Sequence, residues 1–404
     1  MRSSKGELSG SILVVDDNEM NRDMLSRRLA RRGYTVEVAE DGARALERIE
    51  AGRYDLVLLD IMMPGLDGYQ VLETVRERWA PSDLPVVMAT AKSESEDVVR
   101  ALKMGANDYV TKPFDFPEVL ARVRTQIALK RSAEALSRAN ARMRKDLEAA
   151  ARIQRTLLPP EARQVAGARC AWRYLPCDEL AGDTLNVLPL AEGATGLFVL
   201  DVSGHGVPAA LLSVTLSRSI SAGDRGSSVL WTTDPESGQV RPATPIEVAE
   251  ELVRRFPYDD ETHQYFTMVY GVFDGRTFTF VSAGHTPVIH LSRAEGRCTF
   301  HGSTGPPIAL IPASLVTPKF TQEAIVLEPG DRLYLLSDGI PEASSPEDEE
   351  LGMERTGEIL RDALDRSLEE GLDLLLDRLQ EWTDEAGPDD DVSILGLEAG
   401  GVTP

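Results

Sequence analysis

The first third of the chain repeats one pattern five times, a short apolar run followed by an amphipathic stretch. The apolar runs predict β-strands at 11–15, 34–39, 55–59, 84–89 and 108–111. The stretches that follow them predict helices near 19–32, 41–51, 67–78, 94–104 and 116–130. Strands and helices that alternate at this length form a parallel sheet with helices on both faces. We therefore expect a doubly wound α/β domain over residues 8–130.

Acidic residues follow two of these strands. Asp16 and Asp17 come after the first strand, and Asp60 comes after the third. The carboxyl ends of parallel strands meet at one edge of the sheet, where such folds place their functional site. Two carboxylates about 4 Å apart repel by roughly 4 kcal/mol at an effective dielectric of 20, so three acids there need a divalent cation or a proton. Oxygen ligands alone favour Mg²⁺.

Over about 120 residues this segment resembles the receiver domain of two-component response regulators, which has a flavodoxin-like fold. The resemblance implies that Asp60, 44 residues after Asp16, is phosphorylated by a sensor histidine kinase. It also implies a switch hydroxyl on Thr90 in "MATAKS" and a phosphate-binding lysine at Lys112 in "TKPF". A carboxylate nucleophile, a lysine that neutralises charge and a hydroxyl donor suit phosphoryl transfer.

The same resemblance makes Tyr109 the switch aromatic residue. A packing role for this side chain stays open.

Residues 131–160 carry an apolar seven-residue repeat that predicts a linker helix. The two rows of this seam are Leu129, Leu136, Met143, Ala150 and Leu157, and Ala133, Asn140, Leu147 and Gln154. A seam with one polar Asn predicts a parallel dimeric coiled coil, hence a homodimer. The alternative is a helix packed on its own domains. We expect the helix to end at Pro159 and Pro160, which cannot continue it.

From residue 161 to 400 the pattern changes to short strands separated by Gly/Pro turns, with a few helices, which predicts an α+β sandwich. The predicted strands include "GLFVLDVS", "QYFTMVYGVFD", "TFTFVSAGH" and "DRLYLLSDG". Helices are predicted at 206–220 and 369–385. Residues 223–245 show no periodicity and predict a long irregular loop.

Four acidic positions stand out in this region. Asp183 lies in "LAGDT", Asp201 in "LDVSGHG", Asp338 in "LLSDGI", and a triplet in "GPDDDVSIL" precedes the last strand. Each alone is also a common turn residue. Ligand sets that are rich in Asp and poor in His favour Mg²⁺ or Mn²⁺ over zinc. Two such ions about 3.5–4 Å apart can clamp both oxygens of an in-line phosphoryl displacement.

From about residue 150 to 398, the order of these motifs resembles the metal-dependent serine/threonine protein phosphatases of the stage-II-sporulation-protein-E type. The segment "ARIQRTLLP" resembles the helix that precedes that domain. The resemblance implies two Mn²⁺ or Mg²⁺ ions held by Asp183, Asp201, Asp338, Asp390 and the carbonyl of Val202. It implies a phosphoserine or phosphothreonine protein as substrate, with an anti-sigma-factor antagonist as the expected one.

The sequence departs from that family after its first Gly-Asp pair. Thr184, Leu185 and Asn186 stand where aromatic residues and an acid are usual, and Ala181 replaces a glycine. These changes put metal affinity and substrate fit in question.

A serine–histidine hydrolase is a further interpretation of "DVSGHG". Ser203 does not lie in a G-x-S-x-G elbow, and no motif places an acid beside His205. We therefore assign the chemistry to Asp201, with His205 left as a possible phosphate or water contact.

Charge and hydropathy exclude other classes. The net charge of −23 disfavours nucleic-acid binding, and no helix-turn-helix pattern follows the first domain, which disfavours a DNA-binding regulator. The sequence contains no run of about 18 apolar residues, so it predicts no membrane span. The first ten residues lack the apolar core of a signal peptide, and we therefore expect a cytoplasmic protein. The alternative to an enzyme is a non-catalytic adaptor that binds proteins when Asp60 is phosphorylated.

The cysteines carry no clear pattern. Cys170, Cys177 and Cys298 are few and scattered, which suits a reducing compartment. Without a second Cys pair, the sequence does not predict a zinc site.

Overall fold

A computed structural model describes residues 10–91, 95–160, 162–223, 226–312, 314–384 and 387–400. The chain divides into two compact units, one up to Met143 and one from Arg144 onward. The predicted start of the first domain at residue 8 lies outside the described residues.

The first unit contains the predicted doubly wound α/β fold. Within its described residues, parallel strands pair in the order β2-β1-β3-β4-β5. These strands are β1 (Ser11–Val15), β2 (Thr35–Ala39), β3 (Leu56–Asp60), β4 (Val86–Ala91) and β5 (Asp108–Lys112), and the helices are α1 (Glu19–Ala30), α2 (Gly42–Ala51), α3 (Gly68–Arg76), α4 (Ser95–Lys103) and α5 (Phe116–Arg155). Every residue of β3 is buried, as expected of a central parallel strand covered on both faces.

Side-chain caps fix where several of these helices begin. The side chains of Asn18, Asp41 and Asp67 accept hydrogen bonds from the backbone N–H groups of Met20, Arg44 and Gln70. Each cap satisfies an N–H group that the helix itself leaves unpaired. These caps therefore define the starts of α1, α2 and α3.

Helix α5 is one continuous helix of 40 residues. It covers the predicted helix at 116–130 and most of the predicted linker, and the division between the units falls inside it. The prediction that the helix continues to the prolines is wrong, because the backbone N–H groups of Thr156 and Leu157 bond three residues back and tighten the chain into a turn.

The second unit is a sandwich of two antiparallel sheets, as predicted. Within its described residues, one sheet has the order β16-β13-β12-β9-β8 and the other β15-β14-β17-β18-β7-β6. The strands are β6 (Ala162–Val165), β7 (Ala168–Leu175), β8 (Thr184–Pro189), β9 (Thr195–Val202), β10 (Trp231–Thr233), β11 (Val240–Pro242), β12 (Phe266–Phe273), β13 (Thr277–Ala283), β14 (Val288–Ser292), β15 (Arg297–His301), β16 (Glu323–Val326), β17 (Arg332–Leu336) and β18 (Val392–Ala399).

Helices cover the outer face of each sheet. They are α6 (Val207–Ser219), α7 (Pro245–Arg255), α8 (Gly352–Asp362) and α9 (Leu368–Thr383). Helices α6 and α7 contact the sheet of β9 and β12, whereas α9 contacts β7 and β18 of the other sheet. The central core lies between the sheets and includes Phe278, Phe280 and Leu395.

The prediction of an irregular loop over residues 223–245 is wrong in part. Strands β10 and β11 pair there as an antiparallel hairpin, and the Asp234 side chain accepts hydrogen bonds from the N–H groups of Glu236 and Ser237 in its turn. Strands of three residues are too short to produce a periodic signal.

No helix among the described residues is both long and apolar enough to cross a membrane.

Candidate functional site

The first unit brings its three acids together at one edge of the parallel sheet. Asp16 follows β1 and Asp60 ends β3, and both are buried, whereas Asp17 is exposed. Carboxylate oxygens of the three residues lie within 4.8 Å of one another. This is the oxygen-only cluster that the sequence predicts, and its spacing is compatible with one divalent cation.

Lys112 binds both buried acids of this cluster. Its Nζ lies 2.6 Å from Asp60 Oδ2 and 2.9 Å from Asp16 Oδ2. Burial raises the pKa of Asp60, the ion pair with Lys112 counteracts that rise, and the charge of Asp16 adds to it. The backbone N–H of Asn18 and the side-chain amide of Asn21 also donate hydrogen bonds to the Asp16 carboxylate and fix its position.

Strand register places Thr90 next to the strand end that carries Asp60. Asp60 pairs with Ala89 of β4, and the buried Thr90 is the next residue of that strand. Tyr109 lies on β5 and is partly buried, with the Arg122 guanidinium 5.2 Å from its ring centroid. The Tyr109 ring therefore packs against Arg122, which is compatible with a packing role for this residue.

The second unit collects its acids from both sheets. Asp183 immediately precedes β8 and Asp201 lies near the end of the neighbouring β9, whereas Asp338 follows β17 and Asp390 precedes β18 of the other sheet. Burial raises the pKa of Asp201 to about 7, and the charges of Asp338, Asp390 and Asp391 contribute to the rise. Asp201 thus lies in the field of Asp338 and Asp390, and the charge of Asp201 acts in turn on Asp183.

Asp183 is the most deeply buried of these acids. Asp183 is 1% exposed to solvent, and its Oδ2 has no hydrogen-bond partner among the described residues. Burial and the neighbouring charge of Asp201 raise the pKa of Asp183 well above its ordinary value. A buried carboxylate oxygen without a donor is costly, and a bound cation removes that cost. The residues present therefore fit a metal ion.

Asp338 is affected by a residue that the sequence analysis did not identify. Burial raises the pKa of Asp338 to about 6, and the next contributions are the charges of Glu342 and Asp390. Glu342 is exposed, and its N–H donates to the Asp338 carbonyl at 2.9 Å in the turn after β17. An acid four residues after the aspartate of "SDG" is the sequence signal for this neighbour.

The triplet before β18 splits into two roles. Asp391 is buried and accepts hydrogen bonds from the N–H groups of Cys177, at 2.9 Å, and Gly182, at 2.7 Å. Asp390 is exposed beside it. Asp391 therefore holds the segment that leads to Asp183, whereas Asp390 Oδ1 accepts a hydrogen bond from the Asp391 N–H at 2.7 Å. The choice of Asp390 as the ligand within the triplet stays a prediction.

Two glycines allow these segments to approach closely. A Cβ on Gly182 would lie 2.7 Å from the Val202 carbonyl oxygen, and a Cβ on Gly339 would lie 2.1 Å from the Asp391 carbonyl oxygen. Both distances are shorter than any side chain tolerates. The predicted carbonyl ligand of Val202 thus lies directly against the backbone that carries Asp183.

Ser203 and His205 point to different partners. Ser203 Oγ accepts a hydrogen bond from the Tyr265 N–H at 3.0 Å, and its own N–H donates to the Tyr265 carbonyl. His205 Nδ1 lies 3.1 Å from Asp178 Oδ2, an acid that no sequence motif places beside it. No hydrogen bond joins the serine to the histidine among the described residues, which agrees with the choice of Asp201.

The residues that depart from the family pattern serve packing and attachment. Leu185 is fully buried in the core between the sheets. Asn186 Nδ2 donates to the Leu157 carbonyl at 2.8 Å, just after the end of α5. The substitutions therefore tie the strand that follows Asp183 to the preceding helix.

Two family models match the chain, one in each unit. The model of the family described as "Stage II sporulation protein E (SpoIIE)" matches residues 191–399, and that of the "Response regulator receiver domain" matches residues 12–124.

The curated relatives match the first unit. The transcriptional regulatory protein DltR of Streptococcus agalactiae is 48% identical over 113 residues, which is 28% of this chain and 50% of that protein. The transcriptional regulatory protein HprR of Escherichia coli is 41% identical over 116 residues, 29% of this chain and 51% of that protein. The chain spans about half the length of these relatives.

Among solved structures, the SiaA-PP2C domain of Pseudomonas aeruginosa aligns with a TM-score of 0.51 at 20% identity, over 64% of this chain and 98% of that one. This likeness shows the fold of the second unit. Together with the match over residues 191–399, it places the chain in the stage II sporulation protein E family, with a response regulator receiver domain ahead of the family domain.

Proposed function

We propose that this chain is a two-component response regulator whose output is metal-dependent dephosphorylation of a phosphoserine or phosphothreonine protein. The observation that carries the proposal is the cluster of buried acids with raised pKa values around the unpartnered Oδ2 of Asp183. A cluster of this composition is stable in its charged form only with cations bound.

The proposed ligands of two Mn²⁺ or Mg²⁺ ions are the carboxylates of Asp183, Asp201, Asp338 and Asp390 and the carbonyl of Val202. When bound, such ions lower the pKa of a water nucleophile and neutralise charge on the phosphoryl oxygens. The protein's own contribution is to hold these oxygens rigidly. Asp391 does this through its hydrogen bonds to the backbone before Asp183.

In the receiver domain, Asp60 is the proposed phosphoacceptor for a sensor histidine kinase, with Asp16, Asp17 and Asp60 as ligands of Mg²⁺. The Asp60 carboxylate attacks the phosphorus of the kinase's phosphohistidine, the P–N bond breaks as the P–O bond of the acyl phosphate forms, and the imidazole leaves; Lys112 neutralises the charge that arrives. Thr90 then donates to the new phosphoryl oxygens, and Tyr109 repacks in response. Phosphorylation of Asp60 is the proposed gate of the phosphatase.

The proposal includes a homodimer formed through α5. Leu129, Leu136 and Met143 are spaced by seven residues and are 58%, 63% and 62% exposed. Apolar side chains left in water at this period indicate a partner helix. A second copy of the chain supplies that helix in the proposed parallel coil.

The proposed substrate is an anti-sigma-factor antagonist, by resemblance to the phosphatases of this type. The competing function is a non-catalytic adaptor in which the sandwich only binds proteins.

Hydrolysis of a chromogenic phosphate ester by the full chain with Mn²⁺ separates the two functions. We expect the activity of Asp338→Asn to be lower by orders of magnitude, because the variant loses a charged ligand. Its circular dichroism spectrum should remain that of the folded protein. Ser203→Ala is the matched control and keeps its rate. Full Mn²⁺-dependent activity in folded Asp338→Asn would contradict the assignment, and absence of activity in the wild type would favour the adaptor.

A further inference from the structure

Strand β7 has a free edge beside the acids of the second unit. It pairs with β18 along its full length, whereas β6 covers its other side only as far as Ala171. Among the described residues, no strand pairs with residues 172–175 on that side. This free edge leads towards the proposed metal ligands, because Leu175 lies opposite Val392, two residues after Asp390.

The backbone groups of Tyr174 point to the free edge. Tyr174 lies opposite Ser393, whose carbonyl accepts a hydrogen bond from the Ser337 N–H and whose N–H donates to Ser337 Oγ, both at 2.9 Å. Because the N–H and C=O of a strand residue face the same side, Ser393 and Tyr174 form a non-hydrogen-bonded pair, and Tyr174 directs its own groups outward. Trp172 faces the same way, and its carbonyl accepts from the Arg173 side chain at 2.9 Å. The edge therefore offers the N–H groups of Trp172 and Tyr174 and the Tyr174 carbonyl to a further strand.

A cavity of about 500 Å³ adjoins the free edge. Its lining includes Arg155 and Leu158 from the end of α5 and the segment after it, and Trp172 and Tyr174 from β7. The Tyr174 hydroxyl donates to the Asp183 carbonyl at 3.4 Å, so one wall of the cavity is attached to a proposed metal ligand. At about 3.3 Å per residue, the free edge accommodates an extended segment of about four residues.

The cavity carries an unpaired positive charge. Two of its charged lining residues have partners of opposite charge: Arg173 Nε lies 2.6 Å from Asp373 Oδ1, and Glu369 Oε1 lies 2.8 Å from Arg169. Arg155, in the last turn of α5, is exposed and forms no ion pair with any residue that the structure describes. A guanidinium in this position binds a carboxylate most strongly, through paired N–H groups. The side chain that complements the cavity is therefore acidic.

We propose that the free edge of β7 and the adjoining cavity bind an extended segment of the phosphoprotein substrate, which adds to the sheet as a further strand. The inference deepens the proposed function and rests on it. The backbone of the segment pairs with Trp172 and Tyr174, and an acidic side chain close to the phosphorylated residue pairs with Arg155. The phosphorylated residue then extends past Leu175 to the metal centre.

The test of the strand pairing uses labelled peptides of nine residues with a central phosphonate analogue of phosphoserine, which cannot be hydrolysed. One peptide carries backbone N-methyl groups at positions an even number of residues from the centre, a second carries them at odd positions, and a third carries none. Successive N–H groups of a strand face opposite sides, so only one methylated peptide loses its hydrogen bonds to β7. Fluorescence anisotropy with the full chain and Mn²⁺ should show a Kd at least tenfold higher for that peptide, and within about twofold of the unmethylated one for the other. Equal Kd values for the two methylated peptides would overturn the pairing.

The second measurement tests Arg155 with hydrolysable phosphoserine peptides that carry either aspartate or lysine on both sides of the phosphoserine. The ratio of kcat/KM for the aspartate peptide to that for the lysine peptide should fall at least tenfold in Arg155→Ala. The same ratio should stay at the wild-type value in Arg152→Ala, the matched control on the same turn. A wild-type ratio in folded Arg155→Ala would overturn the role of its charge.

The two experiments separate this inference from the proposed function. Peptide binding requires no turnover, so a protein that is inactive on the chromogenic ester and still distinguishes the methylated peptides contradicts the phosphatase and leaves the strand site standing. A protein that hydrolyses the ester and binds both methylated peptides equally keeps the phosphatase and overturns the strand site.

Discussion

Gln154, in the last turn of α5, and Ala181, two residues before Asp183, hold each other through two hydrogen bonds. Gln154 Nε2 donates to the Ala181 carbonyl at 2.7 Å, and the Ala181 N–H donates to Gln154 Oε1 at 3.3 Å. Gln154 is buried and also donates to Ser213 Oγ of α6 at 3.0 Å. The end of the long helix is therefore attached to the backbone that carries a proposed metal ligand.

The first prediction concerns this attachment. Gln154→Ala leaves the buried N–H of Ala181 unpaired and its carbonyl with only the Ser213 hydroxyl at 3.5 Å, and an unpaired buried donor costs about 1–3 kcal/mol. We expect the Mn²⁺ concentration for half-maximal phosphatase activity to rise about tenfold, because the segment before Asp183 loses its support. Arg152→Ala, an exposed change on the same turn, is the control and should match the wild type. Identical Mn²⁺ titrations for Gln154→Ala and the wild type would show that the contact does not position the metal ligand.

The second prediction concerns the apolar seam on α5. Leu136→Ala combined with Leu147→Ala removes apolar surface from the proposed coil, so self-association should weaken and most of the phosphodonor-dependent change in phosphatase rate should disappear. Coupling of about 1–3 kcal/mol, about 5- to 150-fold, is typical of such two-state elements. Sedimentation and phosphatase assays with and without phosphodonor measure both effects.

The control for the seam is Arg138→Ala with Lys145→Ala, two exposed residues off the seam. This variant should associate and switch like the wild type. A seam variant that is monomeric and still switches fully would reduce α5 to a tether.

The third prediction concerns pH and the protein without metal. Asp201 has a pKa of about 7 in the folded chain, well above its ordinary value, so the folded state binds more protons than the unfolded state between about pH 4 and pH 7. The free energy of unfolding contributed by this group therefore falls as pH rises through that range. In thermal unfolding with chelator, Asp201→Asn should raise the melting temperature at pH 8 by about 4 °C or more.

At pH 5 the same substitution should have a much smaller effect, because Asp201 is then already neutral in the folded chain. If Asp201→Asn raises the melting temperature equally at pH 5 and pH 8, the burial of a charged Asp201 does not destabilise the metal-free protein at high pH.

The fold of the first unit was predictable because buried parallel strands leave uninterrupted apolar runs. The five predicted strands agree with β1 to β5 to within about two residues. The second unit was predictable only in its central strands. Edge strands such as β15 and β16 are short and partly exposed, so their sequences carry neither a continuous run nor a clean alternation.

The acids themselves were predictable from motifs, but their division of labour was not. A triplet of aspartates does not reveal which carboxylate faces backbone N–H groups, and in the structure Asp391 does so. Heptad spacing places Gln154 on the seam, and that interpretation is wrong in the folded chain, because its amide is buried against Ala181. The sequence did not predict the contact between Cys177 and Asp391, because the two residues lie 214 positions apart.

In the proposed mechanism, phosphorylation of Asp60 sets the rate of the phosphatase. Mn²⁺-dependent ester hydrolysis by the full chain, measured before and after treatment with a small phosphodonor and Mg²⁺, tests this with base-labile labelling followed in parallel. We expect the wild type to be labelled and to change its rate about fivefold or more, whereas Asp60→Asn should be unlabelled and keep one rate. A wild type whose rate stays the same when labelled, or an Asp60→Asn variant that still responds to the phosphodonor, would contradict it.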